Sequence, residues 1–331
     1  MNPENGLILA AFRRHLRINP GIEQESSGMT KPRVAFIGTG LMGAPMATRL
    51  ARAAYPLRVW NRTAAKAQAL AETGATSVEE LSAAIRDHDW QADVVITMLE
   101  SGTVVHDVLT QILPLLTTGS TVIDMSSTRQ DEAQDLAALL QGARVHWIDA
   151  PVSGGVIGAE AGTLAIMAGG EYDIFRQLES LLAHMGRPVY VGPAGAGQLA
   201  KLCNQLIVGA TIEIVAEALL LAEAGGADPS AVRDALRGGF AESRVLEVHG
   251  RRMLERSFLP GGQVKTQLKD MNNILAAAQD AGLRLPVAVQ VQQRFAKLAE
   301  TIPTADHSAA LLGLEVDNPG IRLGDAQDRL P

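Results

Sequence analysis

Val34-Ala35-Phe36-Ile37-Gly38-Thr39-Gly40-Leu41-Met42-Gly43 is the stretch on which the fold turns. Its first four residues are apolar without a polar break, as in a strand buried on both faces of a parallel sheet. A helical pattern, Met42 to Ala53, follows at once. Between them the glycines at 38, 40 and 43 spell G-x-G-x-x-G. The first permits a tight turn, the second lets backbone approach a pyrophosphate, and the third lets helix and strand pack closely. The helix N-terminus adds unpaired N–H groups and a favourable dipole. Strand, turn and helix in this order predict a dinucleotide site lined by Gly38, Thr39, Gly40, Leu41, Met42 and Gly43.

Working outward, Leu57-Arg58-Val59-Trp60 is the next expected strand, and it ends in Asn61-Arg62-Thr63. A site for NAD usually carries Asp or Glu there, to bind the ribose 2′-hydroxyl. Here no carboxylate opposes a 2′-phosphate, and Arg62 can hold one through two N–H groups. The sequence therefore favours NADP, with NAD as the alternative. Thr63 to Glu72 reads as an alanine-rich helix and Val78 to Ile85 as a shorter one. Further strands are expected at Val94–Met98, Thr121–Met125, Val145–Ile148, Thr163–Met167 and Pro188–Val191. Strands alternating with helices predict right-handed βαβ units and a doubly wound α/β sheet. From Gly195 only helical patterns remain: Leu199–Ala224, a restart at Asp228-Pro229-Ser230, Leu268–Ala281 and Pro286–Ala299. The expected organisation is an extension at 1–30, with Met29 as a natural start, a nucleotide domain at 31–194, and an all-α domain for substrate and oligomerisation at 195–325.

The bulk properties narrow the function. The chain has 331 residues, 47% of them apolar, and Lys+Arg 29 against Asp+Glu 36 leaves a net charge of −7. No basic field is present to hold a nucleic-acid backbone. The long apolar stretch Leu206–Ala224 contains Glu213, Glu217 and Glu223, so a buried helix is expected, not a membrane span. One cysteine, Cys203, rules out an intramolecular disulfide framework and CxxC zinc sites; it is expected to point into helix packing. A reducing, cytoplasmic location fits. The histidines, among them His88, His106, His146 and His249, show no metal-ligand spacing, and no metal is expected. H-E-x-x-H, G-x-S-x-G and G-x-x-x-x-G-K-[ST] are all missing, which excludes the hydrolase and P-loop readings that they would carry.

Two segments offer chemistry. Gly195-Ala196-Gly197-Gln198-Leu199-Ala200-Lys201-Leu202-Cys203-Asn204-Gln205 opens the long helix, and its spacing puts Lys201, Asn204 and Gln205 on one face. A lysine near a domain junction can give a proton to an alkoxide, and an asparagine can hold a substrate. Asp149-Ala150-Pro151-Val152-Ser153-Gly154-Gly155 follows a strand. Its two glycines expose N–H groups beside a hydroxyl, a donor set suited to a carboxylate.

Together these segments resemble the β-hydroxyacid dehydrogenase family, which includes 3-hydroxyisobutyrate dehydrogenases and 2-hydroxy-3-oxopropionate (tartronate semialdehyde) reductases. The resemblance rests on Phe36 to Ala47, Ile123-Asp124-Met125-Ser126-Ser127, Asp149 to Gly155 with Gly158-Ala159 and Gly162-Thr163-Leu164, Gly195 to Gln205, and Lys269-Asp270. It implies an N-terminal Rossmann domain followed by an all-α domain, the two joined by a long helix. It implies that Lys201 is the catalytic general acid, with Asn204 binding substrate, and that Ser153, Gly154 and Gly155 hold the substrate carboxylate. On the same ground Ser127, Met98, Leu99, Asn61, Arg62, Thr63 and Lys269 would contact the cofactor. The stretches Gly238–Leu246 and Asp306–Ala309, with Asn204-Gln205, look most like the reductases. Glu100 departs from the pattern, standing where many relatives have proline. The implied protein is a homodimer or homotetramer that reduces a small semialdehyde acid. Its alternatives are a 3-hydroxyisobutyrate dehydrogenase or a non-catalytic cofactor-binding module.

Overall fold

The structure, a computed structural model, describes residues 31–331. The expectation of an extension at 1–30 lies outside the described residues. The chain opens with β1 (Val34–Ile37), α1 (Gly43–Arg52), β2 (Leu57–Trp60), α2 (Ala64–Gln68), β3 (Thr76–Ser77) and α3 (Leu81–Ile85). It continues with β4 (Val94–Thr97), α4 (Gly102–Ile112), β5 (Thr121–Asp124), α5 (Gln130–Gly142), β6 (His146–Asp149), β7 (Val152–Ser153) and α6 (Gly155–Ala161). Then come β8 (Leu164–Gly170), α7 (Tyr172–Ala183) and β9 (Gly186–Gly192), and after them helices only: α8 (Ala196–Ala224), α9 (Pro229–Leu236), α10 (Arg251–Leu254), α11 (Val264–Asp280), α12 (Pro286–Ala299) and α13 (Ala310–Asp317).

The sheet runs β9-β8-β6-β5-β4-β1-β2-β3, with β7 paired to β8. From β1 the chain winds outward to β2 on one side and to β4 on the other. That is the point where an open α/β sheet forms a crevice at its strand ends. Five parallel strands end in step: Ile37 pairs with Trp60 and Thr97, Thr97 with Asp124, and Asp124 with Asp149. The loops that follow these residues therefore converge on one edge. Past β6 the sheet is mixed, since β8 runs antiparallel to both β6 and β7 while β9 runs parallel to β8. Only Ala150 and Pro151 separate β6 from β7, too few residues for a helical crossover.

Phe36, Ile96, Ile123 and Met46 fill one face of the sheet, and Ile37, Val95, Leu109 and Val122 the other. A separate core around Ile212, Met271, Phe295 and Leu311 holds the helices after α8. The helix expected over Thr63–Glu72 is broken into α2 and a single 3₁₀ turn at Ala71–Thr73. Alanine propensity alone does not carry a helix this short, and only Ala67 of α2 is buried.

The long helix α8 starts at Ala196, three residues ahead of the apolar pattern, because Gly195 turns the backbone at φ +86° and Gly197 sits against the sheet. A Cβ at Gly197 would lie 2.4 Å from the carbonyl oxygens of both Asp149 and Met167. Two expectations about this helix are corrected. Cys203 is exposed and does not enter the packing. The stretch is also not buried all round: Ile207, Ile214 and Leu221, seven residues apart in turn, stay on its outer face. Its length and composition would suit a membrane span. Its inner face instead packs on α11, α12 and α13, and the buried Glu213 is paired with Arg294.

Candidate active site

The turn after β1 has the geometry that its glycines predict. Gly38 stands at φ +99°, and a Cβ there would be 2.3 Å from the Met98 carbonyl oxygen. A Cβ at Gly43 would be 1.9 Å from the Gly38 carbonyl oxygen, so α1 can reach β1 only with glycine there. At Gly40 the corresponding space is open, as the approach of a pyrophosphate requires. Leu41 is exposed beside it, and Met42 packs against the core. The Thr39 hydroxyl, in the same turn, is buried without a hydrogen-bond partner. Asn61 ties the second strand to this turn: its Oδ1 accepts from Thr39 N at 3.0 Å and its Nδ2 donates to the Thr63 carbonyl. Arg62 projects beside it, 3.9 Å from Glu100. The residues present therefore fit a nicotinamide dinucleotide, with no carboxylate at residues 61–63.

The next strand ends are joined by buried hydrogen bonds. Asp124 accepts from the Thr97 hydroxyl (2.8 Å) and from Ser126 N (3.1 Å), and the Ser126 hydroxyl accepts from Leu99 N (2.9 Å). Gln198, fully buried on the first turn of α8, grips the loop on both sides of Ser127. Its Nε2 donates to the Ser126 carbonyl (2.8 Å), and its Oε1 accepts from Thr128 N (3.0 Å). Gln198 N in turn donates to Asp149 Oδ2 (2.9 Å), and Gly195 N donates to Asp149 Oδ1 (2.7 Å). Asp149 thus caps the start of α8. Burial pushes its carboxyl up to about 6 despite these two donors. Burial likewise raises Asp124. The helical spacing that marks Gly195–Gln205 in sequence points to Lys201, Asn204 and Gln205 and assigns nothing to Gln198. The signal is a polar residue inside an otherwise apolar first turn, directly after a close-packing glycine.

Three residues on, Lys201 is half-buried. Burial holds its ammonium below the usual lysine range, Asp270 opposes that shift, and Lys269 adds to it. Asn204 Nδ2 donates to Gln205 Oε1 (2.9 Å), and Gln205 Nε2 donates to Asp270 Oδ2 (2.7 Å). Asp270 sits on α11 and lies 3.4 Å from its neighbour Lys269. The structure therefore brings Lys201, Asn204, Gln205, Lys269 and Asp270 into one group across α8 and α11. Ser153 lies on β7, and Gly154 (φ +142°) and Gly155 (φ +63°) lead into α6. Their link to the lysine runs through β8, which pairs with β7 and packs on α8.

Two histidines that the sequence keeps far apart meet in the structure. His249, far from residue 307 in the chain, stacks edge-on against His307 with ring centroids 4.5 Å apart, both beside the buried Asp306. Asp306 accepts from Ser308 N (3.0 Å) and Oγ (2.7 Å), from Gly261 N (2.9 Å) and Gly262 N (3.0 Å), and it pairs with Arg252 (3.1 Å). Burial pushes its carboxyl up, but His249, His307 and Ser308 hold it well below the carboxylate range; burial pushes His307 down to about 4. A carboxylate so fully supplied with donors, one of them a guanidinium, is a structural clamp and leaves little for a cation.

Comparison with known proteins gives the family. Residues 33–192 match the family model described as the NAD binding domain of 6-phosphogluconate dehydrogenase. Residues 195–314 match the one described as the NAD-binding of NADP-dependent 3-hydroxyisobutyrate dehydrogenase. A 2-hydroxy-3-oxopropionate reductase of Escherichia coli (strain K12) is 40% identical over 289 residues, 86% of this chain and 97% of that protein. A probable 3-hydroxyisobutyrate dehydrogenase-like 1, mitochondrial, of Arabidopsis thaliana is 32% identical over 98% of both chains. Among solved structures, a Mycobacterium tuberculosis 3-hydroxyisobutyrate dehydrogenase with L-serine superposes with a TM-score of 0.77 at 30% identity, covering 86% of this chain and 99% of that one. On the fold, the turn and these relatives, the chain belongs to the NAD(P)-dependent β-hydroxyacid dehydrogenase family.

Proposed function

We propose that the protein reduces a small semialdehyde acid such as 2-hydroxy-3-oxopropionate to the hydroxy acid, with NADPH preferred over NADH. The observation that carries this reading is Lys201, half-buried, depressed by burial and grouped with Asn204, Lys269 and Asp270, three residues past Gln198, which ties the helix start to the cofactor loop. When bound, the nicotinamide supplies the hydride that adds to the aldehyde carbon. As the carbonyl π electrons move to oxygen, the Lys201 ammonium gives that oxygen its proton and becomes a neutral amine. A lysine brought down by burial gives up this proton more readily at neutral pH than a solvated one. Ser153 with the backbone N–H groups of Gly154 and Gly155 holds the substrate carboxylate, and Asn204 orients the reacting end. Lys201→Ala should lower kcat by about 10²–10⁴-fold while leaving the cofactor Kd nearly intact. A near-normal kcat would remove the lysine from the mechanism.

A second reading, a 3-hydroxyisobutyrate dehydrogenase, is supported by the Arabidopsis and Mycobacterium relatives. Steady-state assays over a panel of three- and four-carbon semialdehydes and hydroxy acids separate the two. We also propose that the protein is a homodimer or homotetramer, with the outer face of α8 (Ile207, Ile214, Leu221) in the contact between subunits.

A further inference from the structure

Arg62 has two possible anionic partners, and one of them belongs to the protein. Its guanidinium lies 3.9 Å from the carboxylate of Glu100, with the two side chains 80% and 68% exposed. Arg62 follows β2 and Glu100 follows β4, the two strands that flank β1. The ion pair thus spans the strand end from which the phosphate-binding turn departs. Met98 and Leu99, just ahead of Glu100, press on Gly38, so the Glu100 backbone is anchored to that turn. Leu99 N is held by the Ser126 hydroxyl at 2.9 Å, which fixes the loop from its other side.

We infer that Glu100 is a specificity-determining residue for the cofactor: it competes with a 2′-phosphate for Arg62 and so moderates the preference for NADP over NAD. This rests on the reading of Arg62 as the 2′-phosphate ligand. A dianionic phosphate arriving at Arg62 must displace or share the guanidinium with Glu100, and it meets the Glu100 charge at close range. A ribose 2′-hydroxyl carries no charge, leaves the Arg62–Glu100 pair intact, and can donate to the carboxylate. One residue, three positions past the end of β4, therefore weighs against the phosphate although residues 61–63 carry no acid.

The test is direct binding to the cofactor-free protein, so that hydride transfer does not enter. Kd is measured by calorimetry for NADP⁺, NAD⁺, 2′,5′-adenosine bisphosphate and 5′-AMP, at low and high ionic strength. Glu100→Gln should raise the ratio Kd(NAD⁺)/Kd(NADP⁺) about two- to fivefold, the range expected for removing one exposed charge pair. The bisphosphate and 5′-AMP should show the same change, and the gain should shrink at high salt. Arg62→Ala should collapse the ratio, and Glu100→Gln should then change it less than in the native background. If Arg62→Ala collapses the ratio but Glu100→Gln leaves it unchanged or lowers it, Glu100 is a bystander and the inference is overturned, while the Arg62 assignment stands. If Arg62→Ala leaves the ratio unchanged, the Arg62 assignment itself fails and takes the inference with it.

Discussion

Gln198 and Asp149 show how much one buried polar residue can organise. Gln198 spends its whole amide on the backbone at Ser126 and Thr128, and its own N–H on Asp149. Gln198→Leu keeps the volume but strands a buried carbonyl and a buried N–H, each worth about 1–3 kcal/mol. We expect urea unfolding to show a loss of about 2–4 kcal/mol, together with a higher cofactor Kd, because the loop carrying Ser127 loses its clamp. A fall in stability with no change in cofactor Kd would make the clamp purely structural. Asp149 gives a pH signature. Its folded-state carboxyl is raised to about 6, above the ordinary aspartate value of 3.8, so between those values the folded state binds more protons than the unfolded one. This group's contribution therefore weakens stability as pH rises from about 4 to about 6. Relative to Asp149→Asn, the native protein should gain stability as pH is lowered through that window, by at most ~1.4 kcal/mol per pH unit. Unfolding curves of both proteins at pH 7 and pH 5 check the sign, and a gap that does not move would place the titration elsewhere.

At the scale of elements, α8 does three jobs with three faces. Its first turn is welded to the sheet through Gly197 and Gln198, its next presents Lys201 and Asn204, and its outer side carries Ile207, Ile214 and Leu221. In the proposed oligomer this exposed apolar repeat is the seam against a second copy. If that proposal holds, the native protein sediments as an oligomer at micromolar concentration and Ile214→Glu, which places a charge in the seam, shifts it towards monomer. An unchanged mass, or a native protein already monomeric, would leave the stripe without a role between subunits. The same helix explains why Cys203 misleads in sequence. Cysteine is usually buried, yet residue 203 falls on the open side, next to the buried Leu202.

Over the whole molecule, the helical half is closed by its own C-terminal segment. Arg256, fully buried and at φ +47°, pairs with Glu315 (2.7 Å) and Asp328 and donates to the Leu323 carbonyl (2.9 Å). Burial disfavours its charge, but the two carboxylates keep its pKa above the usual arginine value. Ser257 bridges to Arg329, so residues far past α13 are stitched back onto the turn after α10. Arg256→Ala leaves the Glu315 carboxylate without its cation and Asp328 with Arg322 alone, and should cost about 3–5 kcal/mol in urea unfolding. A loss below about 1 kcal/mol would mean that water compensates those carboxylates.

The strand, turn and helix at 34–52, the later strands, and the change to helices after Gly192 were legible in sequence, because each is written in local periodicity and in glycines whose conformations nothing else can adopt. Lys201, Asn204 and Gln205 could be placed on one face by helical spacing alone. What the tertiary structure decided is which distant groups meet. It put Gln198 on both sides of Ser127, Asp270 on Gln205, Glu100 on Arg62, and His249 and His307 on Asp306. It also turned β8 against β6 and left Cys203 and Ile214 facing out. The physical reason is common to all of these. Periodicity and turn chemistry are set by neighbours within a few residues, whereas pKa shifts, buried hydrogen bonds and exposed faces depend on which elements pack together, and that is a property of the folded chain as a whole.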